Sequence, residues 1–344
     1  SRGEGRGQDA EEPPAVAESE HGLWYEQLSD DQKRVYDWFL AYLPLREQTI
    51  TIEGASADEA APAYLAVIGD HPEFFWLTGA YTYRQPQDGS YIEITPEFSA
   101  SASEVAELEG RIRDVADQVL AQIPSGASDY DRARICYEWV IDSTSYQTSA
   151  HDQTIQGVFL DRVAVCAGYA RSFQYLMRAM GMRCAYLSGG GHAWNLVWID
   201  GTPTYVDTTW GDPVFMAENG ERAPETMVYD YLCLTADELY RNHAVSGPVS
   251  DPQDLPACDS TAYDYYRLNG LFFEEFSAQG LADAIDEAAW RGERSVRVKY
   301  GSPAAYGQAL EYLRQDVFSV QALSDVSSIY HGGDEVLYIV SIDW

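Results

Sequence analysis

Positive charge is scarce in this sequence of 344 residues. Only 22 lysines and arginines stand against 55 aspartates and glutamates, a formal charge of −33. A nucleic-acid ligand needs a basic footprint to neutralise its phosphates, so that class of partner is excluded. The same imbalance disfavours anionic membrane surfaces. Cysteine is sparse as well. Cys136, Cys166, Cys184, Cys233 and Cys258 lie far apart with no C-x-x-C pair, so neither a disulfide framework nor a cysteine-rich zinc site is indicated. No run approaches the ~18 apolar residues of a membrane span. No D-x-[DN]-x-[DN]-G loop is present to hold calcium, so the acidic excess reads as a solvated surface. No metal or cofactor is expected.

What the chain does hold is enough apolar material for more than one core: hydrophobic residues make up 46% of it. Residues 1–22 are polar and read as a disordered tail, the stalk that follows a removed signal or lipid-anchor segment. From 23 to 123 the pattern is α+β. LSDDQKRVYDWFLAYL (28–43) is an amphipathic helix capped at Ser29 or Asp30, TITIEG (49–54) is a strand, two further strands flank Gln87-Asp88-Gly89, and 102–123 is a long helix. The segment 124–250 follows as a core region with a capped helix at 128–146. A Pro- and Asp-rich boundary spans 248–260. Helix, strand, helix and strand patterns then suggest a small α/β sandwich over 260–344.

The stretch GHAWNLVWIDGTPTYVDTTW (191–210) reads as a hairpin, because Asp200-Gly201 between apolar-rich runs suits a type I′ turn. A two-residue loop sets Ile199 opposite Thr202 and Trp194 opposite Asp207. His192 and Asp207 become diagonal neighbours on one face, about 7–8 Å apart at Cα. A one-residue change of loop length would send them to opposite faces. An aspartate beside a histidine fixes its tautomer and favours the imidazolium, which suits a general base awaiting a nucleophile. Cys166 supplies that nucleophile. It opens a helix placed at 166–180, where free N–H groups and the helix dipole favour a thiolate. Gly168 leaves room at the first turn. Read singly, each residue has a plainer role in a core, a cap or a strand. Together they indicate acyl transfer to water or to an amine. Cys136, Cys184 and Cys233 read as core, Cys258 as an exposed linker residue, and His243 as a residue on the surface of a helix begun at Thr235, with a second polar element near the site as the alternative.

VCAGYARSFQYLMRAMGM, GGGHAWNLVWIDG and TYVDTTWGDP resemble the three blocks of the transglutaminase-like superfamily, in the order and near the spacing of that family. The resemblance covers about 128–245. It implies an α+β fold whose papain-like core packs the helix bearing Cys166 on an antiparallel sheet bearing His192 and Asp207. It implies Cys166 as nucleophile, His192 as base and Asp207 as orienter, with an upstream oxyanion donor for which Gln153 and Gln156 are candidates. Tyr169, Trp194 and Trp210 would line the cleft, with core packing as the alternative. A protein or peptide substrate is implied, associated with the cell wall, at an extracellular or cell-surface location. Hydrolysis is favoured. Cross-linking of glutamine to amine and a non-catalytic binding module are the alternatives.

Overall fold

In the computed structural model, residues 11–218, 224, 226–249, 252 and 254–344 are described. The chain divides into two compact units, Ser1–Thr209 with His243–Ala257, and Trp210–Asn242 with Cys258–Trp344.

The first unit opens with helix α1 (Asp30–Tyr42). Its N-terminus is closed by a capping box: Ser29 Oγ accepts from the Gln32 N–H, and Gln32 Oε1 accepts from the Ser29 N–H. Strand β1 (Ile50–Glu53) alternates buried and exposed residues, as a strand with one covered face must. Helix α2 (Ala57–Asp70) follows, unmarked in the sequence reading because Pro62 sits inside it. A second capping box, Ser56 with Glu59, and a buried stripe of Ala60, Ala63, Tyr64 and Val67 carry it past the proline. Strands β2 (Leu77–Arg84) and β3 (Tyr91–Phe98) enclose the expected turn and complete an antiparallel sheet in the order β1-β3-β2. The long helix α3 (Ala102–Ala121) and helix α4 (Asp129–Ser143) come next, capped by Ser101 and Ser128. Residues 1–10 of the expected tail lie outside the described residues. Its remainder is engaged: His21 Nε2 meets Asp37 Oδ1 at 2.7 Å, and Arg34 donates to the Glu11 carbonyl.

Helix α5 (Cys166–Ala179) and the antiparallel strands β4 (Cys184–Gly189), β5 (His192–Ile199) and β6 (Thr202–Val206) form the centre of this unit. Together they are the expected α+β, papain-like core. Asp200 and Gly201 both adopt positive φ, 50° and 77°, as a type I′ turn requires. The ladder then runs from Ile199 opposite Thr202 to Asn195 opposite Val206, the register expected from a two-residue loop. Strand β5 is buried along nearly its whole length, so its pattern is apolar almost throughout rather than alternating.

One side chain ties helix to sheet. Asn195 is fully buried on β5, and its Nδ2 donates to the Ala170 carbonyl on α5 at 2.9 Å and to the Ala185 carbonyl on β4 at 3.1 Å. The N-terminal region is fastened to the same centre. Gln174 Nε2 donates to the Gly69 carbonyl at 2.9 Å, Arg171 to the Ile68 carbonyl at 2.9 Å, and the Trp24 indole to the Tyr186 carbonyl at 2.7 Å.

In the second unit, the strands β7 (Phe272–Phe273), β8 (Ser295–Tyr300), β9 (Tyr330–Asp334) and β10 (Ile339–Asp343) form a sheet in the order β7-β8-β10-β9. Helices α6 (Ala278–Trp290) and α7 (Pro303–Gln315) share one apolar core with it, built around Leu281, Ile285, Val298, Leu313 and Ile342. Buried Lys299 is compensated by Asp264 and Glu238, each at 2.7 Å. Cys258 departs from the expectation of an exposed linker thiol. It is 3% exposed, its thiol points at the Leu234 carbonyl, and its own carbonyl accepts from the Ala236 N–H at 2.7 Å. Cys258 is thus enclosed within the second unit.

Asn195→Ala should lower the unfolding free energy of the first unit by about 1–3 kcal/mol, because it removes the donor to two buried carbonyls. Urea denaturation followed by tryptophan fluorescence measures this. An unchanged midpoint would show that Asn195 does not tie helix to sheet.

Candidate active site

Cys166 is the first residue of α5. Val163–Ala164 just before it pair in parallel with Ser145–Tyr146, which fixes where the chain enters the helix. Val165 is extended and offers no side-chain cap, so the first-turn N–H groups of α5 remain directed out of the helix end. The room at Gly168 is used by the chain itself: a Cβ there would lie 2.4 Å from the Asp152 carbonyl. The loop around Asp152 therefore presses on the first turn, and the Val165 N–H donates to that carbonyl at 3.1 Å. Cys166 packs against Ala167, Ala170, Tyr186 and Ala193, yet keeps part of its surface exposed.

His192 begins β5 at the mouth of the glycine turn, and Asp207 lies just past the end of β6. Strand register brings them together: His192 Nε2 donates to Asp207 Oδ2 at 2.6 Å. That bond spends Nε2 and leaves Nδ1 for a second partner. The Cys166 side chain also acts on the His192 ring and adds to the rise of its pKa. Thiol and carboxylate thus both address one imidazole.

The electrostatics follow from burial and pairing. Asp207 is fully buried, which by itself would raise its pKa, but the charge and N–H of His192 and the N–H of His243 hold it well below the usual carboxylate range. Burial would lower His192, and the Asp207 carboxylate outweighs this and raises it well above its ordinary 6.5. The stabilisation carried by His192 is therefore complete below about pH 6.5 and fades as pH rises through the raised value. That of Asp207 is complete above its ordinary value and is lost only in strong acid.

A residue expected on a helix surface joins the site. The helix after Thr235 is short, Ala236–Leu239, so the chain leaves it before His243. His243 turns inward, 7% exposed, and places Nε2 2.8 Å from Asp207 Oδ2. Only its Asn-His sequence after a helical pattern marked it, and the contact spans 36 positions. The ligand atoms of His192, Asp207 and His243 lie within 4.8 Å of one another. The separations of 2.6 and 2.8 Å are those of hydrogen bonds, tighter than the roughly 3.3 Å between ligands around a tetrahedral zinc with bonds of about 2.0 Å.

The remaining candidates are dispersed. Tyr169 is fully buried and spends its hydroxyl on the Thr144 carbonyl at 3.1 Å, so it belongs to the core and not to a cleft. Trp194 is buried too, its ring 6.0 Å from that of His192, and backs the histidine from within. Trp210, in the second unit, packs edge-on against Tyr231. Gln153 is exposed. Gln156 directs its amide to His151 Nδ1 at 3.2 Å instead of to Cys166. Among the described residues no helix is long and apolar enough to cross a membrane.

Comparison with known proteins gives this geometry a context. Residues 115–210 match the family model of the transglutaminase-like superfamily. Kyphoscoliosis peptidase of Mus musculus is 26% identical over 162 residues, 39% of this chain and 24% of the mouse protein. This chain therefore spans about a quarter of that relative's length. Among solved structures, a TGase is similar at 12% identity and a TM-score of 0.28, covering 49% of this chain and 56% of that one. A proposed cysteine protease from Cytophaga hutchinsonii is similar at 14% identity and a TM-score of 0.26, covering 39% and 63%. The segment from 115 to 210, which carries Cys166, His192 and Asp207, is thus the part of the chain that is similar to the transglutaminase-like superfamily.

Proposed function

We propose that the protein is a cysteine-dependent acyl-transfer enzyme that cleaves amide bonds of proteins or peptides. The observation that carries this reading is the 2.6 Å bond between His192 and the buried Asp207, on a ring that the partly exposed Cys166 also addresses. A structural core has no use for a buried carboxylate, an imidazole and a half-exposed thiol joined in that order. The peptidase named among the relatives supports hydrolysis as the outcome.

The chemistry would run in two halves. The thiol proton passes to His192 Nδ1, and the sulfur attacks the carbonyl carbon of the amide. Negative charge on the carbonyl oxygen is met by the Cys166 N–H at the uncapped start of α5. The C–N bond breaks, His192 gives its proton to the departing amine, and a thioester remains. Water then loses a proton to His192 and attacks the thioester, releasing the acid and restoring the thiol. Asp207 keeps Nδ1 directed at sulfur throughout and balances the imidazolium.

Cys166→Ala should abolish cleavage of a peptide library while leaving the fold intact, and retained cleavage would remove the assignment. Asp207→Asn should lower the rate by about 10²–10⁴, since the tautomer is released. Running both assays with and without a primary amine separates hydrolysis from cross-linking by the product formed. In histidine-labelled protein, ring NMR should show His192 of Asp207→Asn titrating at lower pH than in the wild type. Equal titration would mean that Asp207 does not raise it.

A further inference from the structure

Asp207 is held by two rings, and the catalytic reading uses only one. His192 Nε2 and His243 Nε2 approach the same oxygen, Oδ2, at 2.6 and 2.8 Å. The His243 side chain is 2% exposed, so its N–H has no ready exchange with water and its loss would strip a donor from a buried carboxylate. The two rings lie 5.5 Å apart, and Trp194 packs beside both, 4.9 Å from His243 edge-on and 6.0 Å from His192.

The chain is built to deliver this ring. His243 lies beyond the segment 115–210 that matches the family model. The residues after it are pinned to the end of β4. The Ser246 N–H donates to the Ser188 carbonyl at 2.9 Å, and Ser188 and Gly247 exchange hydrogen bonds at 3.1 Å in both directions. Gly189 makes this approach possible, because a Cβ there would lie 1.7 Å from the Ala244 carbonyl. The strap thus reaches the same turn that leads into His192.

We propose that His243 is a positioning residue of the Cys166 site. Its Nε2–H holds Asp207 Oδ2 in the one orientation that receives the His192 Nε2–H, and through it keeps His192 Nδ1 directed at the sulfur. Two donors that converge on one oxygen define its position more closely than one does. The assignment rests on the catalytic reading above and adds a residue outside the three-member chain.

The readout needs no substrate: the rate of iodoacetamide alkylation of Cys166, located by peptide mass spectrometry, from pH 5 to 9. His243→Phe keeps a ring of similar size without a donor and should slow alkylation near pH 6 by about 10-fold. His243→Gln restores an N–H at similar reach and should recover most of the loss. In an Asp207→Asn background, His243→Phe should add nothing, since the effect passes through the carboxylate. Equal loss in the Phe and Gln variants, or full additivity with Asp207→Asn, overturns the proposal. Ring NMR on the unaltered protein provides a test that no folding defect can obscure. Two hydrogen-bonded Nε2 protons, one on His192 and one on His243, are expected, and a His243 proton on Nδ1 alone overturns it. If His243→Phe matches a fast wild type, only the role of His243 falls. If wild-type Cys166 reacts at pH 6 no faster than an ordinary thiol, the catalytic reading falls and takes this one with it.

Discussion

A carboxylate with no access to water governs this structure. Asp207 is fully buried, and an ionised group in that position is tolerable only if charge and hydrogen bonds replace its lost hydration. His192 supplies a compensating charge when protonated, and His243 supplies a second N–H to the same oxygen. The consequence runs outward to the imidazole. The carboxylate raises the pKa of His192 against the pull of burial. Removing the carboxylate would leave a half-buried imidazole that burial drives towards neutrality.

The fold brings three remote points of the chain to that carboxylate. The type I′ turn at Asp200-Gly201 sets the register of β5 and β6, and register decides whether His192 and Asp207 share a face. Asn195 clamps α5 to β4 and β5, which holds Cys166 at the level of His192. The remaining cysteines show what this environment changes. Cys136 is enclosed in the core, where burial pushes its thiol up to about 12, and Cys184 is pushed up by burial as well. Cys166 alone combines partial exposure, a helix start and a ring partner among the described residues. Site selectivity thus follows from placement within the fold.

Much of this was legible in the sequence because it is local. Asp-Gly between apolar runs predicts a two-residue turn, and from it the facing of His192 and Asp207 follows by alternation. Ser29 and Ser128 announced their helices as caps. What escaped the reading depends on long-range packing or on local rules being overruled. The helix Ala57–Asp70 was hidden by Pro62, a residue that normally ends helices, and survives because its buried stripe outweighs the lost bond. His243 reads first as a helix-surface residue, and only second as a polar element of the site, because the pattern after Thr235 continues in helical period, whereas the helix stops at Leu239. Its destination is set by Ser188 and Gly189, more than 50 positions earlier, and no local signal reports such a contact. Of the two readings open for Tyr169, cleft wall and core packing, its position on the helix selects the core.

The most direct test is to catch the covalent intermediate. The protein is mixed with a digest of acidic and neutral peptides, quenched in acid within seconds, and its mass read intact and after proteolysis. The account predicts an acyl adduct on Cys166 that hydroxylamine removes and that is absent from Cys166→Ala. Turnover of the peptides with no adduct at Cys166 under any quench time, or with an adduct on another residue, would contradict it.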